Sequence, residues 1–150
     1  MFDNLTCQSL PEEHYLCLVG AAICAFSSNN AFIIENILHT NDEDYSWYAL
    51  TDLESGYLHN AIAKTISLND GGDIQTLFDE IVKRRNRIVH SFRITDTHGK
   101  QRLATKTRVK EGNKQLVIDE SYLEEFIVLN SKLSVKLNAY RDSLKSQQSK

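Results

Sequence analysis

Apolar residues in this chain recur every three to four positions up to Phe92, switch to every second position as far as Ile118, and then return to the longer spacing. That change of period constrains the fold most, because it brackets one short extended segment between helical ones. At 150 residues the chain suits one domain with its own core, and its 41% hydrophobic and 25% charged content is ordinary for a globular protein. Cys17 and Cys24 stand seven apart in one expected helix, which separates their Cα atoms by about 10 Å, beyond disulfide reach. With Cys7 isolated, three reduced thiols point to a cytoplasmic protein. No basic segment precedes the apolar run Tyr15 to Phe26, and its twelve residues are too few to span a bilayer, so neither a signal peptide nor a membrane helix is expected.

Helix starts and stripes divide the chain further. Pro11, Glu12 and Glu13 suit a first turn, so helix one should run from about Pro11 to Leu38 or His39, through residues apolar on most faces. Asn41 to Asp44 reads as an acidic loop, with Tyr45, Trp47 and Tyr48 folding back. Thr51 and Glu54 match a capping box, predicting helix two over about Asp52 to Ser67, with Leu53, Tyr57, Leu58, Ala61, Ile62 and Ile66 inward. Asp73 is a suitable cap for helix three, striped by Ile74, Leu77, Phe78, Ile81, Ile88 and Phe92. Asp119 or Ser121 can open helix four, whose buried line is Tyr122, Phe126, Leu129, Leu133, Leu137, Tyr140 and Leu144. The expected fold is therefore all-α: a single domain, 1–150, built as an antiparallel four-helix bundle with a small β-ribbon, about 92–118, inserted between helices three and four. A frayed polar tail should follow residue 145.

Charge is divided unevenly. Eleven basic and two acidic residues lie between Lys83 and Lys114, a net +9, while the remainder sums to −12. A polyanion would meet this cation-rich segment and no other part of an acidic body. Solvated hairpin edges and docking onto acidic protein surfaces produce the same pattern.

One residue breaks the stripe of helix three. Three-and-four spacing from Ile81 reaches Arg85 before Ile88, placing a guanidinium where an apolar side chain was due. Something anionic must meet it: either a carboxylate such as Glu35 or Glu54, or a bound phosphate. Asn86 and His90 follow on an adjoining stripe. A guanidinium offers a permanently charged planar fork to a phosphate, and an imidazole titrates near neutrality, a combination suited to cleaving a phosphodiester. Upstream, Asp79 with Lys83 and Glu80 with Arg84 have the spacing of ordinary helical ion pairs.

Arg85-Asn86-Arg87-Ile88-Val89-His90 resembles the signature of the HEPN superfamily, an Arg and polar residue followed by a His late in a helix of a small helical bundle. The resemblance implies a HEPN-like homodimer that sets two copies of the motif across a two-fold axis, and a metal-independent endoribonuclease of the toxin or phage-defence kind. Carried onto this chain, it implies catalysis by Arg85 and His90, with Asn86 orienting them, and neither metal nor cofactor. RNA would lie along Arg84, Arg87, Arg93, Arg102, Lys106 and Arg108. The ribbon could bind RNA, cover the cleft or receive an antitoxin protein. RNA carries its own nucleophile in the 2′-hydroxyl, so the expected products are a 2′,3′-cyclic phosphate and a 5′-hydroxyl. The competing expectations are a non-catalytic module that binds RNA or a partner protein, and a dimerisation module whose polar seam only fixes register. The other histidines, His14, His39, His59 and His98, are scattered and share no ligand spacing.

Overall fold

The computed structural model describes residues 4–148. Among them are six α-helices: α1 (Glu13–Thr40), α2 (Trp47–Thr51), α3 (Leu58–Lys64), α4 (Ile66–Asp70), α5 (Asp73–Val89) and α6 (Glu120–Gln148). Three strands, β1 (Phe92–Thr95), β2 (Gln101–Lys106) and β3 (Gln115–Ile118), form an antiparallel sheet in chain order. Phe92 pairs with Ala104, which in turn pairs with Val117.

The all-α antiparallel four-helix bundle is overturned on two counts. First, the expected second helix does not exist as one unit. Ser46 opens α2 instead, accepting from the Ala49 amide, while Thr51 ends it and donates its hydroxyl to the Trp47 and Tyr48 carbonyls. A 3-10 turn (Ser55–Tyr57) follows, and Thr65 separates α3 from α4 with non-helical φ and ψ of −129° and −88° while its hydroxyl donates to the Ala61 carbonyl. Thr and Ser side chains that bond their own backbone compete with helix continuation. Leu58, Ala61, Ile62 and Ile66 are buried as the spacing predicts, but Leu53 and Tyr57 face solvent.

Second, losing one long helix changes the parity of the chain path. Tyr15 meets Ile118, Asn29 meets Asn130, and Thr40 meets Tyr140, so α1 and α6 run parallel. Helix α5 opposes both: Lys136 pairs with Asp73 at one end of the α5–α6 contact and Glu125 with Arg84 at the other. Between α1 and α6 the core holds Phe26, Ile33, Ile34 and Ile37 with Leu123, Phe126, Leu133 and Leu137. The buried Asn29 Nδ2 donates to the Asn130 carbonyl at 2.7 Å and to its Oδ1 at 3.1 Å, which pins the register of the pair.

The sheet is part of this core and not an appended ribbon. Ala104 and Ile118 are buried, and Leu103 packs against the same cluster. Tyr15 Oη donates to the Ile118 carbonyl at 2.6 Å and accepts from the Leu103 amide, joining β2 and β3 to the start of α1.

Helix starts follow local chemistry. Gly71 and Gly72 hold left-handed φ values of 76° and 90°, which glycine adopts freely, and the Asp70 carboxylate accepts from the amides of Gly72 and Ile74. Asp70 thus does the capping expected of Asp73. Asp119 caps α6 by accepting from the Tyr122 amide at 2.8 Å. Helix α6 is regular through Gln148, beyond the frayed boundary expected at 145. By length and composition α1 is apolar enough to cross a bilayer, with a mean hydropathy of 1.7 over its best window, and 28% of that window is buried within the chain.

Candidate active site

Arg85 projects from α5 toward α1 and the 3-10 turn. Its Nη2 donates to the buried Ser55 Oγ at 2.8 Å, and its guanidinium carbon sits 4.8 Å from the centroid of the Phe26 ring. Neither Glu35 nor Glu54 meets it, and no carboxylate among the described residues pairs with it. Nε is buried without a hydrogen-bond partner. The half-buried cation is therefore held by a hydroxyl and an aromatic face, neither of which neutralises it. It opens onto a hollow of about 250 Å³, walled by Ile23, Phe26, Ser27 and Asn30 of α1, by Ser55, and by Val89 one turn along α5.

Asn86 and His90 are exposed on another side of the helix end. Their connection is through backbone, the His90 amide donating to the Asn86 carbonyl at 3.0 Å. At roughly 100° per residue, Arg85 and His90 project about 140° apart around the axis. The structure does not bring guanidinium and imidazole together within one protomer, and His90 does not line the hollow.

The other cations separate into two groups. Arg102 is only 6% exposed, stacked 4.7 Å from the Tyr15 centroid and paired with Glu12 at 2.7 Å and Glu120 at 3.3 Å. Arg84 is paired with Glu80 and Glu125 and lies over the Tyr122 ring. Both are engaged within the protomer. Arg93 donates to the Ser9 carbonyl, while Arg87, Lys106 and Arg108 are exposed with no acidic partner among the described residues. Glu80 pairs with Arg84 at the expected helical spacing; Asp79 instead accepts from His59 Nδ1 at 2.8 Å and leaves Lys83 free of it. Burial pushes the Tyr122 phenol up, opposed by a hydrogen bond from Arg87, which places Arg87 beside that ring.

Among the described residues, no group of three or more His, Cys, Asp or Glu side chains is placed to hold a metal ion, and all three cysteines are free and exposed. Ser55, Phe26 and Asn30 escaped sequence reasoning. Asn30 had a faint signal, as one of four polar residues interrupting the apolar run of helix one; Ser55 had none, because its position depends on the broken path between α2 and α3. No family model matches the chain, and neither does any curated protein or solved structure.

Proposed function

We propose that this protein is a metal-independent endoribonuclease of the HEPN type, acting in the cytoplasm as a homodimer and serving as a toxin or phage-defence effector. The carrying observation is Arg85: a half-buried guanidinium with no acid among the described residues, open to a hollow where a phosphate oxygen can replace the missing carboxylate. Because Arg85 and His90 diverge within one chain, the reactive pair consists of Arg85 from one protomer and His90 from its partner. Support for a second copy comes from α1, where Cys17, Gly20, Ala21, Ile23, Cys24 and Ser27 leave an uncharged exposed face beside the hollow.

In the reaction, Arg85 holds the non-bridging oxygens and stabilises the phosphorane. His90 removes the 2′-hydroxyl proton, and a solvent water protonates the departing 5′-oxygen. Attack by the 2′-oxygen forms the cyclic phosphodiester as the bond to the 5′-oxygen breaks. Arg87, Lys106 and Arg108 contact the flanking backbone phosphates.

The divergence of Arg85 and His90 also favours a second reading, a non-catalytic module that binds RNA or an acidic partner through Arg85 and the exposed cations. Incubation with total RNA in the presence of a chelator separates the two. The nuclease reading expects 2′,3′-cyclic phosphate ends from the parent and none from folded Arg85→Ala or His90→Ala protein. Salt-sensitive binding without cleavage supports the second reading and overturns the first.

A further inference from the structure

The hollow beside Arg85 carries more chemistry than a phosphate clamp requires. Four buried side-chain polar atoms lack a hydrogen-bond partner among the described residues, and two belong to this one wall: Arg85 Nε and Asn30 Oδ1. Asn29 is tied to Asn130, and Asn36, whose Oδ1 is also without a partner, at least donates to the Phe32 carbonyl, whereas neither end of the Asn30 amide has a hydrogen bond among the described residues. A partly buried amide left unsatisfied at the wall of a cavity is a cost that a ligand can remove.

The rest of the wall says what kind of ligand. Ile23, Phe26 and Val89 are apolar and the Arg85 guanidinium lies over Phe26, so beyond the one cation that a phosphate oxygen can reach, the wall suits an apolar group. Phe26 itself is stacked with Phe78, so a planar heterocycle finds apolar flanks, the Arg85 guanidinium to stack on and the Asn30 amide at the wall. Unstacked RNA bases are read in this way, by stacking on aromatic and guanidinium planes and hydrogen-bonding at their edges. A hollow of about 250 Å³, below the roughly 300–1,000 Å³ typical of drug-sized ligands, is on the scale of one base.

We infer that this hollow receives a single unstacked nucleobase and that Asn30 reads its edge, making Asn30 the specificity-determining residue of the site. The inference rests on the ribonuclease reading for its RNA context. Asn30 Oδ1 is shielded from solvent, so reading a base edge requires the amide to turn toward the hollow about χ2. Ser27, one turn away on the same wall, supplies a hydroxyl at the mouth.

The test uses the four ribonucleoside 5′-monophosphates and inorganic phosphate as probes, titrated against the whole chain by amide chemical-shift perturbation. The parent should bind the tightest nucleotide at least about fivefold better than the weakest, the discrimination of one good edge contact. Asn30→Ala should level the four while leaving inorganic phosphate affinity unchanged, and so should Asn30→Leu, which keeps the bulk and removes the amide. Equal affinities in the parent, or an unaltered rank order in both variants, would overturn the inference. The two readings fail separately. Cleavage by the parent with the same base preference in Asn30→Leu leaves the nuclease standing without a base-reading Asn30. Base-selective binding that depends on Asn30, without cleavage, leaves a nucleotide site on a protein that is not a nuclease.

Discussion

Arg102 and Arg85 occupy two corners of one molecule and share a starting geometry: each guanidinium stacks on an aromatic ring of α1, at 4.7 Å from Tyr15 and 4.8 Å from Phe26. They differ in what else is present. Arg102 has Glu12 and Glu120 and joins the sheet to the helices; Arg85 has the Ser55 hydroxyl and an open hollow. A buried cation with two carboxylates is accounted for by the fold itself. One with an uncharged partner and access to solvent has a charge left to give to a ligand, and position in the sequence alone does not separate the two cases.

The largest expected effect comes from erasing that difference. Ser55→Asp would supply Arg85 with the acid it lacks; RNA cleavage should fall roughly a hundredfold, the scale of losing one preorganised charge contact, while the melting temperature holds or rises. An unchanged rate would show that the free charge of Arg85 is irrelevant. The converse change, Arg102→Met, should leave the cleavage rate per folded molecule alone. It should destabilise the chain by roughly 2 kcal/mol, about 4–8 °C in melting temperature, because Glu12 and Glu120 lose a partner but remain close enough to water to rehydrate.

Smaller effects follow from the exposed cations. Lys106→Gln with Arg108→Gln should weaken RNA binding uniformly across sequences and reduce the slope of log affinity against log salt by about 2, or somewhat less on single strands. The smallest is a pH effect at the Arg102 corner. Hydrogen bonds from Arg102 and then Lys100 hold the Glu12 carboxyl below its ordinary value of 4.5, and the Lys100 and His98 amides do the same for Asp96. Carboxyls lowered on folding contribute stability above their unfolded values and lose it as pH falls through the folded ones. Melting temperature should therefore drop between about pH 5 and pH 3, and less steeply in Arg102→Met than in the parent.

Helices α1, α5 and α6 were readable because long apolar stripes persist over many turns, and the cation-rich extended segment stood out by period and charge. The path between α1 and α5 was not. Thr51 and Glu54 imitate a capping box, and nothing local shows that Thr51 instead bonds backward to close α2 or that Thr65 interrupts the next helix. From that one break came the parallel pairing of α1 with α6 and the placing of Ser55 under Arg85. The intruding charge at Arg85 was visible in the stripe, yet its want of a carboxylate depends on which residues the broken segment brings near. Arg102 shows the opposite: an apparently exposed ribbon cation that β2 carries into the core, because Glu12 and Glu120 sit at the starts of the two helices it bridges.

The central claim, that Arg85 of one protomer works with His90 of the other, is tested most directly by mixing two inactive proteins. Arg85→Ala and His90→Ala chains, unfolded and refolded together, give a population of dimers of which half are mixed, each retaining one complete Arg85–His90 pair. Cleavage recovering to about a quarter of the parent rate is the predicted result. A mixture that stays inactive, although both variants fold as dimers and the parent cleaves, would contradict a site shared between protomers.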